Sequence, residues 1–193
     1  GLNGKVQCIY FDPPYGINFA KTHTGNGWTV RESKEWDSSI PSAEYYQEVI
    51  RTSKNQIIWG ANYMTDHLPP SMGWVFWDKG QRNFSLADGE LAYTSFQRAL
   101  RVFTMPRGTA KANNDKNGGI IHPTQKPVKL YEWLLMNYAE KGDKILDTHL
   151  GSGSIALACH NLGFELTACE LDKEYFDASI KRIENHVAQI RMF

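Results

Sequence analysis

The chain has 193 residues, of which 41% are hydrophobic, and its basic and acidic residues cancel to a formal net charge of +0. That length suits one domain with a substantial core, and the apolar content excludes disorder throughout. There is no run of about 18 apolar residues and no opening secretory pattern, and zero net charge gives no whole-molecule signature of nucleic-acid binding. Cys8, Cys159 and Cys169 lack metal-ligand spacing and fall in apolar stretches, so they read as reduced core thiols of a cytoplasmic protein without a metal.

Along the chain, the apolar run Val6–Phe11 predicts a buried strand, closed by Asp12-Pro13-Pro14-Tyr15. Residues 16–37 form a long polar loop of the kind used as a lid or binding loop. A helix starts at Pro41 or Ser42, with Tyr45, Tyr46, Val49 and Ile50 on one face. Gln56–Trp59 is a strand ending at Gly60-Ala61-Asn62-Tyr63. Gly73–Trp77, Glu90–Ser95 and Leu100–Thr104 read as further strands. The polar, Gly- and Asn-rich stretch Met105–Gly119 predicts a loop. Pro127–Ala139 is a helix with Leu130, Trp133, Leu134 and Tyr138 on its apolar side. A strand then ends at Asp147, a glycine turn follows, and a small-residue helix runs from Ile155 to Leu162 before Gly163 stops it. Phe164–Cys169 is a second strand, closed by Glu170-Leu171-Asp172, and Lys173–Gln189 is a final amphipathic helix.

Two of these junctions carry chemistry. Two consecutive prolines extend neither strand nor helix, so they make a stiff corner that fixes Asp12 relative to Tyr15. Such a corner suits an exocyclic amino group of adenine or cytosine, whose lone pair is delocalised into the ring. A carboxylate and the carbonyl of Pro13 accept its two N–H groups, and Tyr15 offers a face for an extruded base. A plain turn with an Asp cap and a packed Tyr would use the same residues. The second junction is a βαβ unit in which Gly151 and Gly153 open a helix and Glu170 ends the next strand, 23 positions after Asp147. Glycines that admit close backbone approach, followed by an acid for ribose hydroxyls, point to a nucleoside-containing cofactor.

Together with Ile57–Tyr63 and His122-Pro123-Thr124-Gln125-Lys126-Pro127, these junctions resemble the β class of amino-group DNA methyltransferases, over most of the chain. The resemblance implies an α/β fold: a single Rossmann-like methyltransferase domain, with a mostly parallel sheet, helices on both faces and an antiparallel strand. Residues 1–104 would be the catalytic half, 105–121 a short recognition-type loop and 122–193 the cofactor half. Asp12 and Gly151 would then stand at the carboxyl ends of neighbouring strands. S-adenosylmethionine is the implied cofactor and double-stranded DNA the partner, with a homodimer or partner chain, no membrane, and a bacterial or phage-encoded cytoplasmic setting. Asp12 would accept the target amino group, Pro13 would add its carbonyl, and Tyr15 would stack on the base. Family members that methylate cytosine N4 usually carry Ser at the Asp12 position, so adenine N6 is the implied target and cytosine N4 the alternative.

Asp147, Gly151, Gly153, Ser154 and Glu170 match the cofactor turn and its ribose acid. His122, Thr124, Gln125 and Lys126 match the segment lining the methionine end, with Lys126 pairing with its carboxylate. The family's turn often reads Asp-Pro-Phe-x-Gly-Ser-Gly, whereas this chain has Thr148-His149-Leu150; His149 reads as a structural histidine, or as a neighbour of the cofactor. From Lys79 to Lys116 seven basic residues face three acids, a possible phosphate-binding surface or simply a solvated face. Arg98, Arg101, Arg107 and Lys111, with Lys21 and Arg31 of the long loop, are the candidate DNA contacts. Family enzymes usually insert a larger recognition region here, so specificity would rest on the 16–37 loop, a second subunit or another chain. A nicotinamide oxidoreductase shares the βαβ signature, with Ala156 at its third glycine position, and a catalytically silent DNA-binding or regulatory subunit shares the fold.

Overall fold

A computed structural model describes residues 6–17, 38–83 and 85–190. The strands are β1 (Val6–Phe11), β2 (Ser53–Trp59), β3 (Trp74–Asp78), β4 (Gly89–Thr94), β5 (Arg101–Thr104), β6 (Lys144–Asp147) and β7 (Glu165–Ala168). The α-helices are α1 (Ala43–Thr52), α2 (Arg107–Lys116), α3 (Val128–Tyr138), α4 (Ser154–Leu162) and α5 (Lys173–Ile190), with short 3-10 turns at Ala61–Tyr63 and Thr65–His67. Most of the expected loop at 16–37, including Lys21 and Arg31, lies outside the described residues. No helix among the described residues is long and apolar enough to cross a membrane.

The strands form one sheet in the order β5-β3-β4-β2-β1-β6-β7. β4 runs antiparallel to both of its neighbours, and every other pairing is parallel. The inner strands read as near-continuous apolar runs because both of their faces are covered. On β2, Ile57 and Trp59 enter one core and Ile58 the other, as period-two alternation requires. The first core packs Ala110 of α2 and the apolar faces of α3 and α4 against the sheet; the second packs Tyr46 and Val49 of α1 with Ala61 and Met64. Trp59, Leu130, Leu134 and Leu135 are completely buried, and each such side chain contributes about 1.5–3 kcal/mol.

Helix α1 begins where Ser42 Oγ accepts the Tyr45 N–H at 3.4 Å, a cap of about 1 kcal/mol. It passes straight into β2: Thr52 and Ser53 donate their hydroxyls to the Glu48 and Val49 carbonyls, both at 2.6 Å, and the strand starts at Ser53 rather than Gln56. Parallel pairing of Val6 with Ser53 draws the polar start of this strand into the sheet. The larger correction is α2, in a stretch read as loop. Its sequence is nearly all polar, and only Ala110 and Asn114 are buried, one turn apart, so it shows little apolar periodicity. A contact from the next helix and a closed C-terminus hold it: Asn113 Oδ1 accepts the Lys129 N–H at 3.3 Å, and the Asn114 carbonyl accepts the N–H groups of Asn117 and Gly119 just beyond the helix at 3.0 and 2.9 Å.

The last helix is stitched to the rest by Arg182, which is 4% exposed. Its Nε donates to the Asn117 carbonyl at 2.5 Å, and one Nη to the Ser152 carbonyl at 2.8 Å and Ser154 Oγ at 3.0 Å. No carboxylate pairs with it among the described residues, and burial pulls its guanidinium down to about 10. Arg182→Met should strand two carbonyls and destabilise the protein by about 2–4 kcal/mol, read as a lower urea midpoint. A loss under about 0.5 kcal/mol would show that the stitch is dispensable.

Candidate active site

Four segments leave the carboxyl edge of the parallel strands and converge. They are residues 12–15 after β1, 60–63 after β2, 147–154 after β6 and 170–172 after β7. Register pairs Cys8 with Ile145 and Ile9 with Leu146, so Asp12 and the glycine turn stand on adjacent strands at one edge, as expected. In open α/β sheets ligands bind at this edge.

Asp12 is held from two sides. The Tyr15 hydroxyl donates to its Oδ1 at 2.6 Å, and Lys126 Nζ donates to its Oδ2. The Lys126 side chain is only 1% exposed. Its ammonium also lies 3.3 Å from the Tyr15 hydroxyl, 3.1 Å from Glu90 Oε2 and 5.2 Å from the Trp59 ring centroid. Lys79 Nζ donates to the other oxygen of Glu90 at 2.6 Å. The result is a half-buried to buried chain of alternating charge: Lys79, Glu90, Lys126, Asp12. Burial raises the Asp12 carboxyl above its ordinary range, against the pull of Lys126. Burial also works against the charge on Glu90, but the two lysines outweigh it and bring its carboxyl down to about 2. Burial opposes the charge on Lys126 too, yet Asp12 and Glu90 hold its amine above the usual value. Asp12 is thus the weaker acid of the two carboxylates.

The Tyr15 ring lies against backbone. Gly60 has φ +64°, and a Cβ there would fall 2.0 Å from Tyr15 Cε1, so no larger residue fits without moving the ring. Tyr63, half exposed, stacks on Tyr15 with centroids 5.3 Å apart and planes 17° from parallel. Pro13 is buried.

The glycine turn is closed by Glu170. Its Oε2 accepts the Gly151 N–H at 2.7 Å and its Oε1 the Asp172 N–H at 2.9 Å. Gly151 and Gly153 take left-handed φ of +53° and +73°. Gly153 sits at the cap of α4, and Ser154 begins the helix with its hydroxyl turned to Ser152 and Arg182. Asp147, 2% exposed, is pushed up to about 8 by burial, eased by the His149 N–H donated to its Oδ1 at 2.9 Å. His149 stacks on Phe11 at 5.9 Å, within 3.5 Å of the Tyr45 hydroxyl, and burial lowers its imidazole to about 4. Its ring is thus packed between Phe11 and Tyr45 beside the turn.

His122 borders the turn: a Cβ on Gly151 would lie 3.8 Å from its ring. Its ring meets Tyr175 edge-on at 4.4 Å, and Thr124 Oγ1 lies 3.1 Å from its Nδ1. Gln125 shapes the approach to this segment, accepting from the Ile121 N–H at 3.0 Å and donating to the Gly119 carbonyl at 2.8 Å. Lys126 points its ammonium at Asp12 and Glu90, not toward the turn.

The candidate DNA contacts divide. Arg101 opens β5 opposite Val75, near the start of β3, and Arg98 precedes it, donating to the Asn137 carbonyl at the end of α3. β5 runs with the parallel strands, so both arginines lie at the amino edge, away from Asp12. Arg107 and Lys111 follow the carboxyl end of β5, one turn apart on α2. Glu90, Lys79 and the stacking role of Tyr63 were not singled out from sequence. The available signal was Glu90 itself, an acid two and four positions before Ala92 and Thr94, both wholly buried on the same strand.

A family model for N6 and N4 methyltransferases, described as DNA methylase, matches residues 74–181. The Type II methyltransferase M2.DpnII of Streptococcus pneumoniae is 38% identical, with 93% of this chain and 83% of that protein covered. A shorter match to the Type II methyltransferase M.HpaI of Haemophilus parainfluenzae is 34% identical and takes in 33% of this chain and only 20% of that protein. Two solved structures share the fold. The M1.HpyAVI–SAM complex has a TM-score of 0.60 and 20% identity, with 94% and 90% of the two chains covered. The cytosine-N4-specific PvuII DNA methyltransferase has a TM-score of 0.57 and 14% identity, with 95% and 84% covered.

Asp147 gives a pH prediction. Its folded-state value of about 8 lies above the ordinary 3.8, so the folded protein holds a proton that the unfolded chain releases. Stability from this group is complete below the ordinary value and is lost as pH rises toward 8. Asp147→Asn should therefore gain about 3–4 kcal/mol on the wild type between pH 5 and pH 8, by urea unfolding without ligands. Parallel pH curves would refute the shift.

Proposed function

Because this chain belongs to the DNA methylase family of N6 and N4 methyltransferases, we propose that it transfers a methyl group from S-adenosylmethionine to the N6 amino group of adenine in DNA. One observation carries the reading: the Asp12 carboxylate and the Gly151 turn share one edge on adjacent parallel strands. Donor and acceptor atoms of a direct transfer must approach to about 3–3.5 Å, which this adjacency permits.

The residues of the turn fit a nucleoside cofactor. Each Glu170 oxygen spends one lone pair on a backbone N–H and keeps another for a ribose hydroxyl. The space in front of Gly151 is bordered by His122 at ordinary contact distance. Asp147, Gly151, Gly153, Ser154 and Glu170 would hold the nucleoside end, with His122, Thr124 and Gln125 toward the methionine end. S-adenosylmethionine, when bound, supplies a methyl group made electrophilic by its sulfonium.

The chain's own residues prepare the acceptor. Asp12 takes one N–H of the adenine amino group and the Pro13 carbonyl the other, which draws the nitrogen toward tetrahedral geometry and aims its lone pair. As the N–C bond forms, the nitrogen becomes cationic and must lose a proton, and Asp12, hydrogen-bonded to it in this reading, can accept that proton. Tyr15 stacks on a base that has left the helix. Asp at position 12, rather than Ser, supports adenine over cytosine. A bacterial or phage-encoded cytoplasmic setting, and a second subunit for site recognition, belong to the same reading.

The first prediction separates the two halves of the site. Asp12→Ala should cut turnover about 100-fold or more while leaving S-adenosylmethionine affinity within about threefold. Glu170→Ala should weaken that affinity about 10- to 100-fold. Methylated DNA digested to nucleosides and weighed should contain N6-methyladenine; N4-methylcytosine there would overturn the adenine assignment, and undiminished methylation by Asp12→Ala would overturn the role of Asp12. The second concerns the duplex. Replacing Arg107 and Lys111 by Ala should weaken binding on unrelated sequences alike and lower the slope of log affinity against log salt by about 1–2. A slope equal to the wild type's would place the duplex elsewhere.

A further inference from the structure

Both Asp12 oxygens carry a donor before any base arrives: Oδ1 accepts from the Tyr15 hydroxyl and Oδ2 from the Lys126 ammonium, which leaves one lone pair on each. An amino N–H must share an oxygen with one of these donors, and sharing weakens the bond already there. An ammonium is a stronger donor to a carboxylate than a neutral amino group is, so Lys126 loosens its hold on Asp12 in favour of the base only where another acceptor takes it up. At 1% exposure that acceptor is not bulk water, and a buried unpaired charge is costly.

Glu90 is built to take it. Its Oε1 is fixed by Lys79, while its Oε2 is buried, accepts no aligned hydrogen bond, and stands 3.1 Å from Lys126 Nζ. The antiparallel direction of β4 puts it there. Glu90 opposes Trp77 near the end of β3, so an antiparallel strand delivers its first residues to the edge where parallel strands deliver their last. Lys79, Glu90, Lys126 and Asp12 sum to zero charge, and a small swing of the ammonium from Asp12 to Glu90 leaves that sum unchanged.

We propose that Glu90 is a positioning residue for the reaction: it takes over the Lys126 ammonium when the target amino group binds Asp12, so the aspartate is released without leaving a buried cation unpaired. The inference rests on the methyltransferase reading and deepens it.

The test uses the full chain, tritiated S-adenosylmethionine and genomic DNA from a strain lacking DNA methylation. Glu90→Gln should lower kcat about 10- to 100-fold with cofactor affinity within about threefold of wild type. Because Glu90 acts through Lys126, Glu90→Gln combined with Lys126→Gln should be no slower than Lys126→Gln alone. A purely structural Glu90 would instead make the two losses multiply, and that result, or a Glu90→Gln kcat within twofold of wild type, overturns the proposal. If circular dichroism shows Glu90→Gln unfolded, Glu90→Asp carries the test: it keeps the charge but withdraws the carboxylate, and unchanged kcat overturns the proposal while a fall of about fivefold or more supports it. Asp12→Ala run alongside distinguishes the two levels. Absence of methylation by the wild type sinks the methyltransferase reading itself, full methylation by Asp12→Ala sinks the role of Asp12 and this proposal with it, and its loss with an unaffected Glu90→Gln sinks only the role of Glu90.

Discussion

The ammonium of Lys126 is the constraint around which the catalytic edge is organised. A cation 1% exposed to solvent survives only where carboxylates replace its hydration, and here two do so, from strands that meet through the sheet rather than along the chain. The pairing joins β1, the end of the 119–127 segment and β4, whose partners are separated by 114 positions in the case of Asp12. Any shift of α3 would therefore pull on Asp12 through a charge that cannot be left alone. Removing one member would not simply subtract a contact. It would change the protonation of the others.

The cofactor side is built on the opposite principle. There the backbone of a tight turn is held by side chains that arrive from later in the chain: Glu170 on the Gly151 N–H and Arg182 on the Ser152 carbonyl. Opposite charges grip opposite ends of backbone dipoles one residue apart, which fixes the turn without a salt bridge. Tyr45 adds a third tie, its hydroxyl 2.5 Å from Thr148 Oγ1. Helix α1 thereby touches the turn from the second core.

What could be read from the sequence was what is local. β1, β6 and β7 are apolar runs followed by acids, so the strands were legible one by one, and the shared edge of Asp12 and Gly151 was an implication of the family resemblance, since methyl donor and acceptor must meet. What could not be read depends on partners far along the chain. Polar α2 forms because α3 receives it. Arg98 and Arg101 fall at the amino edge, away from Asp12, because β5 pairs in parallel with β3, a choice that a count of basic residues does not encode. Glu90 looked like the start of an ordinary strand, and only the reversal of β4 brings it to Lys126.

The Tyr63 ring has a consequence for selectivity. It already occupies a stacking position on Tyr15. An aromatic pair of this kind contributes about 0.5–1.5 kcal/mol, and a base on an aromatic ring about 1–3 kcal/mol. A nucleobase that stacks on that face therefore exchanges one ring for another, and the net gain falls to about 1 kcal/mol. Stacking in such a pocket admits all bases on nearly equal terms. Under the proposed role of Asp12, preference among them comes from hydrogen bonds, so a thymine, with no exocyclic amino group to offer Asp12, would leave the aspartate and its lysine undisturbed and the tyrosines closed on each other.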